Sequence, residues 1–265
     1  MRRDADRGTS ARGDADRAVS ETVSFVLVFA LVVASVGTVY AVGVAELEAA
    51  RDAERVENAQ RAFDVLADNL GDLTEGVPSR GTEVKLADAT LRSVDDASMN
   101  VTVDPGGGAA PTHWEYALRP IVYDVEAGGQ IRLSNGAVLR DSDRGTAAVV
   151  RGPPLVVDDD HVQLTLLKQE HIGPTSTGGS QTVRIRTAAT RSRLFYDNES
   201  VVHDTVRVNV TSPYTDAWAR QYESVGFACT EVSEPTPSTS GTVSCTRSDV
   251  DRVTVVWLRV STTFE

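Results

Sequence analysis

The stretch VSFVLVFALVVASVGTVYAVGVA, residues Val23–Ala45, contains no charged residue and decides how the rest of the chain is interpreted. As an α-helix rising ~1.5 Å per residue it would extend about 34 Å, which exceeds the roughly 30 Å hydrocarbon core of a bilayer. It is also longer than the ~7–15-residue apolar core of a secretory signal peptide. Because water would leave this apolar surface exposed, the stretch predicts a transmembrane helix whose partner is the lipid bilayer.

The flanking charges predict an orientation for this helix. Residues 1–18 are polar and low in complexity, and they contribute five arginines before the apolar run: Arg2, Arg3, Arg7, Arg12 and Arg17. Since positive flanks tend to stay in the cytoplasm, we expect a single-pass cell-membrane protein with its N-terminus inside and its C-terminal domain extracellular. The predicted segments are a charged cytoplasmic leader (1–18), a transmembrane helix (19–45), an amphipathic helical extension (46–76) and a β-rich extracytoplasmic domain (77–265).

The extension after the apolar run shows helical periodicity. Its apolar residues recur at steps of three and four, which is typical of one helix face, and charged residues occupy the other faces. We expect the helix to end near Gly71–Gly76, with the apolar stripe packed against the β domain of the same chain. Self-association through the stripe is the alternative. The stripe consists of Val56, Ala59, Phe63, Leu66, Leu70 and Leu73.

After Pro78 the pattern changes to the alternation that is typical of strands. Gly, Asn, Asp and Pro separate the predicted strands, and Asn135-Gly136 is the strongest hairpin signal. Ser212-Pro213 begins one late helix, whose apolar face is Tyr214, Ala217, Trp218, Tyr222 and Val225. The predicted fold is therefore α+β, a long N-terminal helix followed by an antiparallel β-sandwich-like domain with one late short helix. The predicted strands include VKLADATLRSV (84–94), TVRIRTA (182–188), RLFYD (193–197), TVRVNVT (205–211) and VTVVWLRVSTTF (253–264).

Composition narrows the possible partners and environment. The formal net charge is −12, and no basic stripe exists that could displace the counterions of a nucleic acid, so we expect no nucleic-acid partner. Lys85 and Lys168 are the only lysines, against an excess of aspartate and arginine. An acidic, lysine-poor surface is typical of proteins that stay soluble in high salt. A GC-rich genome also favours arginine over lysine, and a haloarchaeal source would explain both features.

The two cysteines and three glycosylation sequons fit an exported domain. Cys229 and Cys245 flank a flexible loop, which predicts a disulfide worth about 3 kcal/mol; a metal site is the alternative, but it would need further ligands that the neighbourhood lacks. The sequons begin at Asn100, Asn198 and Asn209 and are candidates for N-glycosylation. The alternative is chance, because the first and third fall in alternating, strand-like sequence.

No motif indicates catalysis. The chain lacks a nucleophile elbow, a zinc-protease helix, a P-loop and a dinucleotide fingerprint, so we expect no enzyme, no cofactor and no small-molecule substrate. The run Asp158–His161 could offer metal ligands, but neighbouring residues of an extended chain point to opposite faces, so an acidic hairpin turn is the better interpretation. Trp114, Trp218 and Trp257 are predicted to pack in the core, with a sugar-binding platform as the alternative.

The segment Arg17-Ala18-Val19-Ser20-Glu21, a charged leader followed directly by the apolar helix, resembles the N-terminus of archaeal type IV pilins and pilin-like proteins, especially haloarchaeal ones. The resemblance implies cleavage between Ala18 and Val19 by a prepilin peptidase, a helix that anchors the precursor and then packs in a filament, and a β-rich head outside. It also implies that Glu21 neutralises the new α-amino group of a neighbouring subunit. Alternatively, Glu21 only stabilises the helix dipole.

The leading hypothesis is a pilin-like cell-surface subunit with a structural, adhesive or assembly role, whose partners are the prepilin peptidase and sister subunits. The alternative is an uncleaved single-pass membrane protein with an extracellular β binding module. The first hypothesis predicts close helix contacts through small residues, since these let backbones approach each other; an ordinary single span would explain them equally. These residues are Ala30, Ala34, Gly37, Ala41 and Ala45.

Overall fold

The structure is a computed structural model that describes residues 10–125, 129–141, 146–236 and 238–265. A boundary after Arg51 divides the described chain into two compact units. The predicted α+β fold is confirmed: one long N-terminal apolar helix is followed by a mostly antiparallel β domain with a short late helix.

Helix α1 spans Ser10–Thr74. Its start lies inside the segment that was predicted to be a separate leader, so residues 10–18 continue the helix instead of preceding it. Its end falls within the predicted range, because Gly76 adopts a left-handed φ of 100° and the amide of Val77 donates to the carbonyl of Asp72. Glycine accepts this conformation without strain, which explains why the helix ends there.

The strands form two sheets. Sheet A has eight strands, with the path β4-β3-β12-β14-β10-β9, and β1 and β13 pair with β12 and β14 respectively. Sheet B has six, in the order β11-β2-β5-β6-β7-β8. The strands are β1 (Ser79–Lys85), β2 (Ala89–Ser93), β3 (Ser98–Asp104), β4 (Thr112–Ala117), β5 (Ile121–Val125), β6 (Gly129–Ser134), β7 (Ala137–Asp141), β8 (Ala147–Arg151), β9 (Leu155–Val157), β10 (His161–His171), β11 (Ser176–Gly179), β12 (Thr182–Ser212), β13 (Ala228–Ser233) and β14 (Gly241–Phe264).

Local turn chemistry accounts for two boundaries between strands. Asn135 and Gly136 both have positive φ and join β6 to β7, so the predicted hairpin is confirmed. The stretch 84–94, predicted as one strand, is instead two strands in different sheets. Ala87 and Asp88, with φ of 50° and 73°, form the turn that separates β1 from β2.

Two strands are longer than predicted, and one pairing has an unexpected direction. β12 has 31 residues and joins three predicted strands, while β14 has 24. Their antiparallel pairing continues through several register shifts, such as those at Ala189/Arg191 and Leu194/Tyr196, where bulges bend the sheet. β10 pairs with β14 in parallel, which is an exception among the antiparallel pairings of the described strands.

Sheet A borders two separate hydrophobic cores. Core 1 contains Val253 and Val255 of β14 together with α2 (Thr215–Glu223), whereas core 2 contains Leu258 and Val260 of the same strand. Because side chains alternate along a strand, odd and even positions lie on opposite faces. Strand β14 therefore buries the face of Val253 and Val255 in core 1 and, further along, the opposite face, that of Leu258 and Val260, in core 2.

The apolar stripe of α1 belongs to core 2. All six predicted residues are buried there, so the prediction that the stripe packs on the chain's own β domain is confirmed. Phe63 meets Tyr123 of β5 edge to face, with 6.4 Å between the ring centroids. The late helix α2 is likewise where the sequence places it, with Ala217, Trp218 and Tyr222 buried.

Candidate membrane and assembly helix

The first part of α1 exposes its apolar side chains on every side. From residue 23 to residue 44 every side chain is exposed, including Phe25, Leu31 and Tyr40, each at least 71 % accessible. In the described part of the chain this is the one helix that is long and apolar enough to cross a membrane, by length and composition. An apolar surface of this extent needs a nonaqueous environment or other helices around it.

Two of the hydroxyl groups in this segment are satisfied within the helix. The hydroxyl of Ser35 donates to the carbonyl of Val32 at 2.8 Å, and the hydroxyl of Thr38 donates to the carbonyl of Ala34 at 2.9 Å. Such local bonds remove the cost of placing a hydroxyl in hydrocarbon. The hydroxyls of Ser35 and Thr38 are therefore compatible with a nonaqueous environment around this part of the helix.

The small residues leave room for a neighbouring helix. A Cβ added to Gly37 or Gly43 would meet no atom of the described residues within 4 Å. Ala30, Ala34 and Ala41 are exposed as well, while the side chain of Ala45 lies outside the described ones. This geometry allows the close helix packing that the sequence predicted, and an ordinary single span would have it too.

The processing residues are described by their backbone alone. Ala18, Val19 and Glu21 lie within helix α1, and their side chains are outside the described ones. The peptide bond between Ala18 and Val19 is thus inside a helix, with its backbone atoms in the helical hydrogen-bond pattern. Neither predicted role of Glu21 is tested by this placement.

Polar contacts fasten the second part of α1 to the β domain. Arg151 of β8 donates to the carboxylate of Asp68 at 2.5 Å and to the carbonyl of Asp64 at 3.2 Å. Asn69 donates to the hydroxyl of Thr82 at 2.8 Å. Burial raises the pKa of Asp64, the Arg151 charge lowers it, and Asp68 raises it further, with a net upward shift. Helix residues 52–74 are therefore an integral part of the domain.

The cysteines and the sequon asparagines lie in the β domain. The structure joins Cys229 and Cys245 in a disulfide between β13 and β14, where they are also direct cross-strand partners. Asn100 and Asn209 are likewise Cα partners, on β3 and β12. Because such partners have Cβ atoms roughly 5 Å apart, a glycan on one amide would cover the other. Asn198 donates to the Tyr196 hydroxyl at 3.2 Å.

The remaining sequence candidates form no reactive centre. Asp158–Asp160 forms the turn between the paired strands β9 and β10, as predicted. Among the described residues no group of three or more His, Cys, Asp and Glu side chains could hold a metal ion. Trp218 is buried, whereas Trp114 and Trp257 are half-buried and each stacks on Phe195, with ring centroids 5.7 and 5.5 Å away. Those stacked faces are not open to a sugar.

Comparison with known proteins places the chain in a family without assigning its activity. The chain belongs to the family described as a family of unknown function (DUF7289), which it matches over residues 17–263. No curated protein and no solved structure matches the chain. The family match covers both the exposed apolar helix and nearly all of the β domain, so the two parts occur together as one family architecture.

Proposed function

We propose that this protein is a pilin-like cell-surface subunit, anchored by its N-terminal helix and acting in structure or assembly. The observation that carries the proposal is the apolar segment of α1, which is exposed on every side between residues 23 and 44. The same helix continues to Thr74, where its last part is built into core 2 of a β domain. A helix with one free apolar part and one part fixed in a head domain suits an anchored subunit.

Charge and covalent chemistry support an extracellular β domain. The disulfide between Cys229 and Cys245 is a feature of oxidising compartments. The arginines of the leader favour a cytoplasmic N-terminus. An acidic, lysine-poor composition supports a high-salt, haloarchaeal environment, and the sequons at Asn100, Asn198 and Asn209 would be accessible to glycosylation in this orientation.

The pilin-like assignment is supported by the segment around the proposed cut. Arg17-Ala18-Val19-Ser20-Glu21 precedes the apolar helix directly, as in archaeal pilins. Removal of residues 1–18 would leave Glu21 as the third residue of the mature chain, close to its new α-amino group. The small residues at 30, 34, 37 and 41 would then allow sister helices to pack closely.

The mature N-terminus tests this proposal. We expect peptide mass spectrometry of the protein isolated from its native membrane fraction to find a chain that begins at Val19. A bulky Ala18→Trp variant should keep the leader, whereas the matched Ala15→Trp variant, three residues upstream, should be processed normally. A native chain that begins at Met1 or Arg2 would overturn prepilin-type processing.

A second function has one structural observation in its favour. The bond between Ala18 and Val19 lies inside helix α1, and a protease needs a locally opened chain at the bond that it cuts. An uncut chain would be a single-pass membrane protein whose β domain acts as an extracellular binding module. The N-terminal measurement separates the two functions, because only this second one retains residues 1–18.

A further inference from the structure

One face of sheet A carries an unexpected concentration of positive charge. In an antiparallel pair, directly opposite residues lie on the same face, and the register places Arg186 opposite Thr263, Arg191 opposite Arg259 and Arg193 opposite Trp257. These positions alternate with Leu258 and Val260, so they lie on the face opposite core 2. We call this set the basic face: Lys85 of β1, Lys168 of β10, Arg184, Arg186, Arg191 and Arg193 of β12, and Arg259 of β14.

The basic face has the opposite sign to the whole chain. It holds seven cations, including both lysines of the protein, and the acidic side chains at the neighbouring paired positions of the same face are Glu83, Glu170 and Glu265. The chain as a whole has a formal net charge of −12. The rest of the surface is therefore even more acidic than the total suggests, and the molecule is electrostatically polarised.

Part of the basic face is neutralised within the chain and part is not. Arg259 donates to Glu170 at 2.6 Å, and this hydrogen bond lowers the pKa of the Glu170 carboxyl against the opposing effect of burial. Arg191 and Arg193 are exposed, and the described part of the chain offers neither of them an ion pair. Their guanidinium groups are available for carboxylates of another molecule.

A matching acidic element lies at the other end of β10. The turn Asp158–Asp160 directly precedes this strand and is exposed, and its carboxylates have no ion-pair partner among the described residues. Lys168 lies near the far end of the same strand. The helix carboxylates differ, because Asp68 and Asp72 each pair with an arginine of the same chain. The turn is thus the acidic element best suited to meet free arginines.

We propose that the basic face binds the acidic turn Asp158–Asp160 of a second copy of this chain, so that β domains associate head to tail. This rests on the proposed function, in which subunits lie side by side at the cell surface. Arginine suits the contact because its planar guanidinium binds a carboxylate through two parallel hydrogen bonds. Since the two surfaces are different, the contact is heterologous, and the association extends as a row or closes into a ring.

Membrane anchoring makes a small charged contact sufficient. Exposed ion pairs contribute only about 0.2–1 kcal/mol each, too little to hold two proteins together in dilute solution. Tethering partners to one surface raises their effective concentration to roughly the millimolar range, which favours weak contacts. The Debye length falls to about 3 Å at 1 M salt, so pairs in direct contact are the ones that persist in a saline environment.

The lysines allow a direct test. A carbodiimide couples carboxylates to amines, and Lys85 and Lys168 are the only side-chain amines in the protein. Full-length protein would be reconstituted in lipid vesicles as an equal mixture of unlabelled and 15N-labelled chains, cross-linked at low salt and analysed by mass spectrometry. We expect peptides that join Lys85 or Lys168 to the Asp158–Asp160 turn in mixed-isotope pairs. A link between Lys168 and Glu170 of one chain is expected in any case, because these side chains form an ion pair at 3.5 Å. The absence of mixed-isotope products, or mixed-isotope products that join the lysines only to other carboxylates, would overturn the proposal.

Two sets of variants sharpen this test. Replacing Asp158, Asp159 and Asp160 by Asn should abolish the mixed-isotope product, whereas the matched control Glu54→Gln/Glu75→Gln/Asp95→Asn, also at exposed carboxylates, should preserve it. Arg191→Gln/Arg193→Gln should lower the yield roughly five- to tenfold, as expected for the loss of two exposed ion pairs. An unchanged yield in either set of variants would contradict the proposed contact.

The outcome is distinguishable from that of the proposed function. A mature chain that begins at Val19 without any mixed-isotope cross-link would reject head-to-tail docking and leave the pilin-like assignment standing. A cross-link in protein that retains its leader would do the reverse: it would support association of the β domains and reject prepilin-type processing.

Discussion

Helix α1 contains two apolar regions, one exposed and one with its apolar stripe buried. Between residues 23 and 44 the apolar residues are nearly continuous, and the structure leaves every one exposed. Between Val56 and Leu73 the six residues of the apolar stripe are spaced three and four apart, and all six are buried in core 2, whereas Val65 on another face is exposed. The two regions belong to the same element, so secondary structure alone does not determine which apolar surface is covered.

The spacing of apolar residues explains the difference. A stripe along one face of a helix leaves the other faces to charged residues, so it can be covered by one sheet while the rest meets water. A helix that is apolar all round needs an apolar environment on every side, and the β domain cannot provide that. Periodicity thus separates a helix face built for a protein core from one built for lipid or for sister helices.

The largest expected effect concerns truncation of a buried aromatic. Phe63→Ala should lower the free energy of unfolding of the β domain by about 3–5 kcal/mol, because it leaves a cavity beside Tyr123 in core 2. Phe29→Ala, in the exposed region, should leave this free energy unchanged. Denaturant unfolding of detergent-solubilised full-length protein, followed by tryptophan fluorescence, measures both. Equal destabilisation by the two variants would remove the distinction between the regions.

A charge placed on each region should impair membrane insertion in the first region only. Val33 and Val65 are similarly exposed, at 53 % and 51 %. Val33→Arg should weaken membrane insertion by about 3 kcal/mol, the difference between the two residues near the centre of a span. Val65→Arg should have no effect on insertion, because that side chain faces water on the charged side of the stripe.

Alkaline extraction of membranes distinguishes these two variants. We expect Val33→Arg protein to shift toward the soluble fraction, while Val65→Arg protein stays in the pellet with the wild type. Retention of both variants in the membrane to the same extent would show that the region 23–44 is not what holds the protein there.

Local sequence signals sufficed for the helices and for individual turns. The buried stripe, the late helix with Trp218 and the Asn135-Gly136 turn all follow from residue spacing and turn chemistry. The separation of β1 from β2 was missed, because Ala87 and Asp88 adopt positive φ without a glycine to indicate a turn.

Features that depend on pairing between distant strands could not be predicted. The parallel pairing of β10 with β14 joins strands about 90 positions apart, and no local sequence pattern indicates whether such strands run parallel or antiparallel. The basic face and the Asn100–Asn209 pair arise only once the register aligns residues of several strands. The merging of three predicted strands into β12 has a similar cause, since bulges let one strand continue through polar residues that looked like loops.

The smallest effect concerns a carboxylate at the edge of the buried stripe. Burial raises the pKa of Asp64, so the folded state binds a proton more tightly than the unfolded chain does. The ionised carboxylate therefore costs stability above the raised folded pKa, and this cost disappears as the pH falls below the unfolded value of about 4. Asp64→Asn should accordingly give a small stabilisation at pH 7 that vanishes at pH 3.

Unfolding curves at pH 7 and pH 3 test whether Asp64→Asn stabilises the folded state as predicted. The matched control is Glu54→Gln, at an exposed carboxylate, which should leave the stability unchanged at both pH values. Arg151 contacts the backbone carbonyl of Asp64, and asparagine preserves that bond. Destabilisation by Asp64→Asn at pH 7 would mean that the attraction between the Arg151 and Asp64 charges outweighs the desolvation of the carboxylate. An ion pair at the edge of the buried stripe would then stabilise the packing of α1 on the β domain, in addition to the burial of its apolar residues.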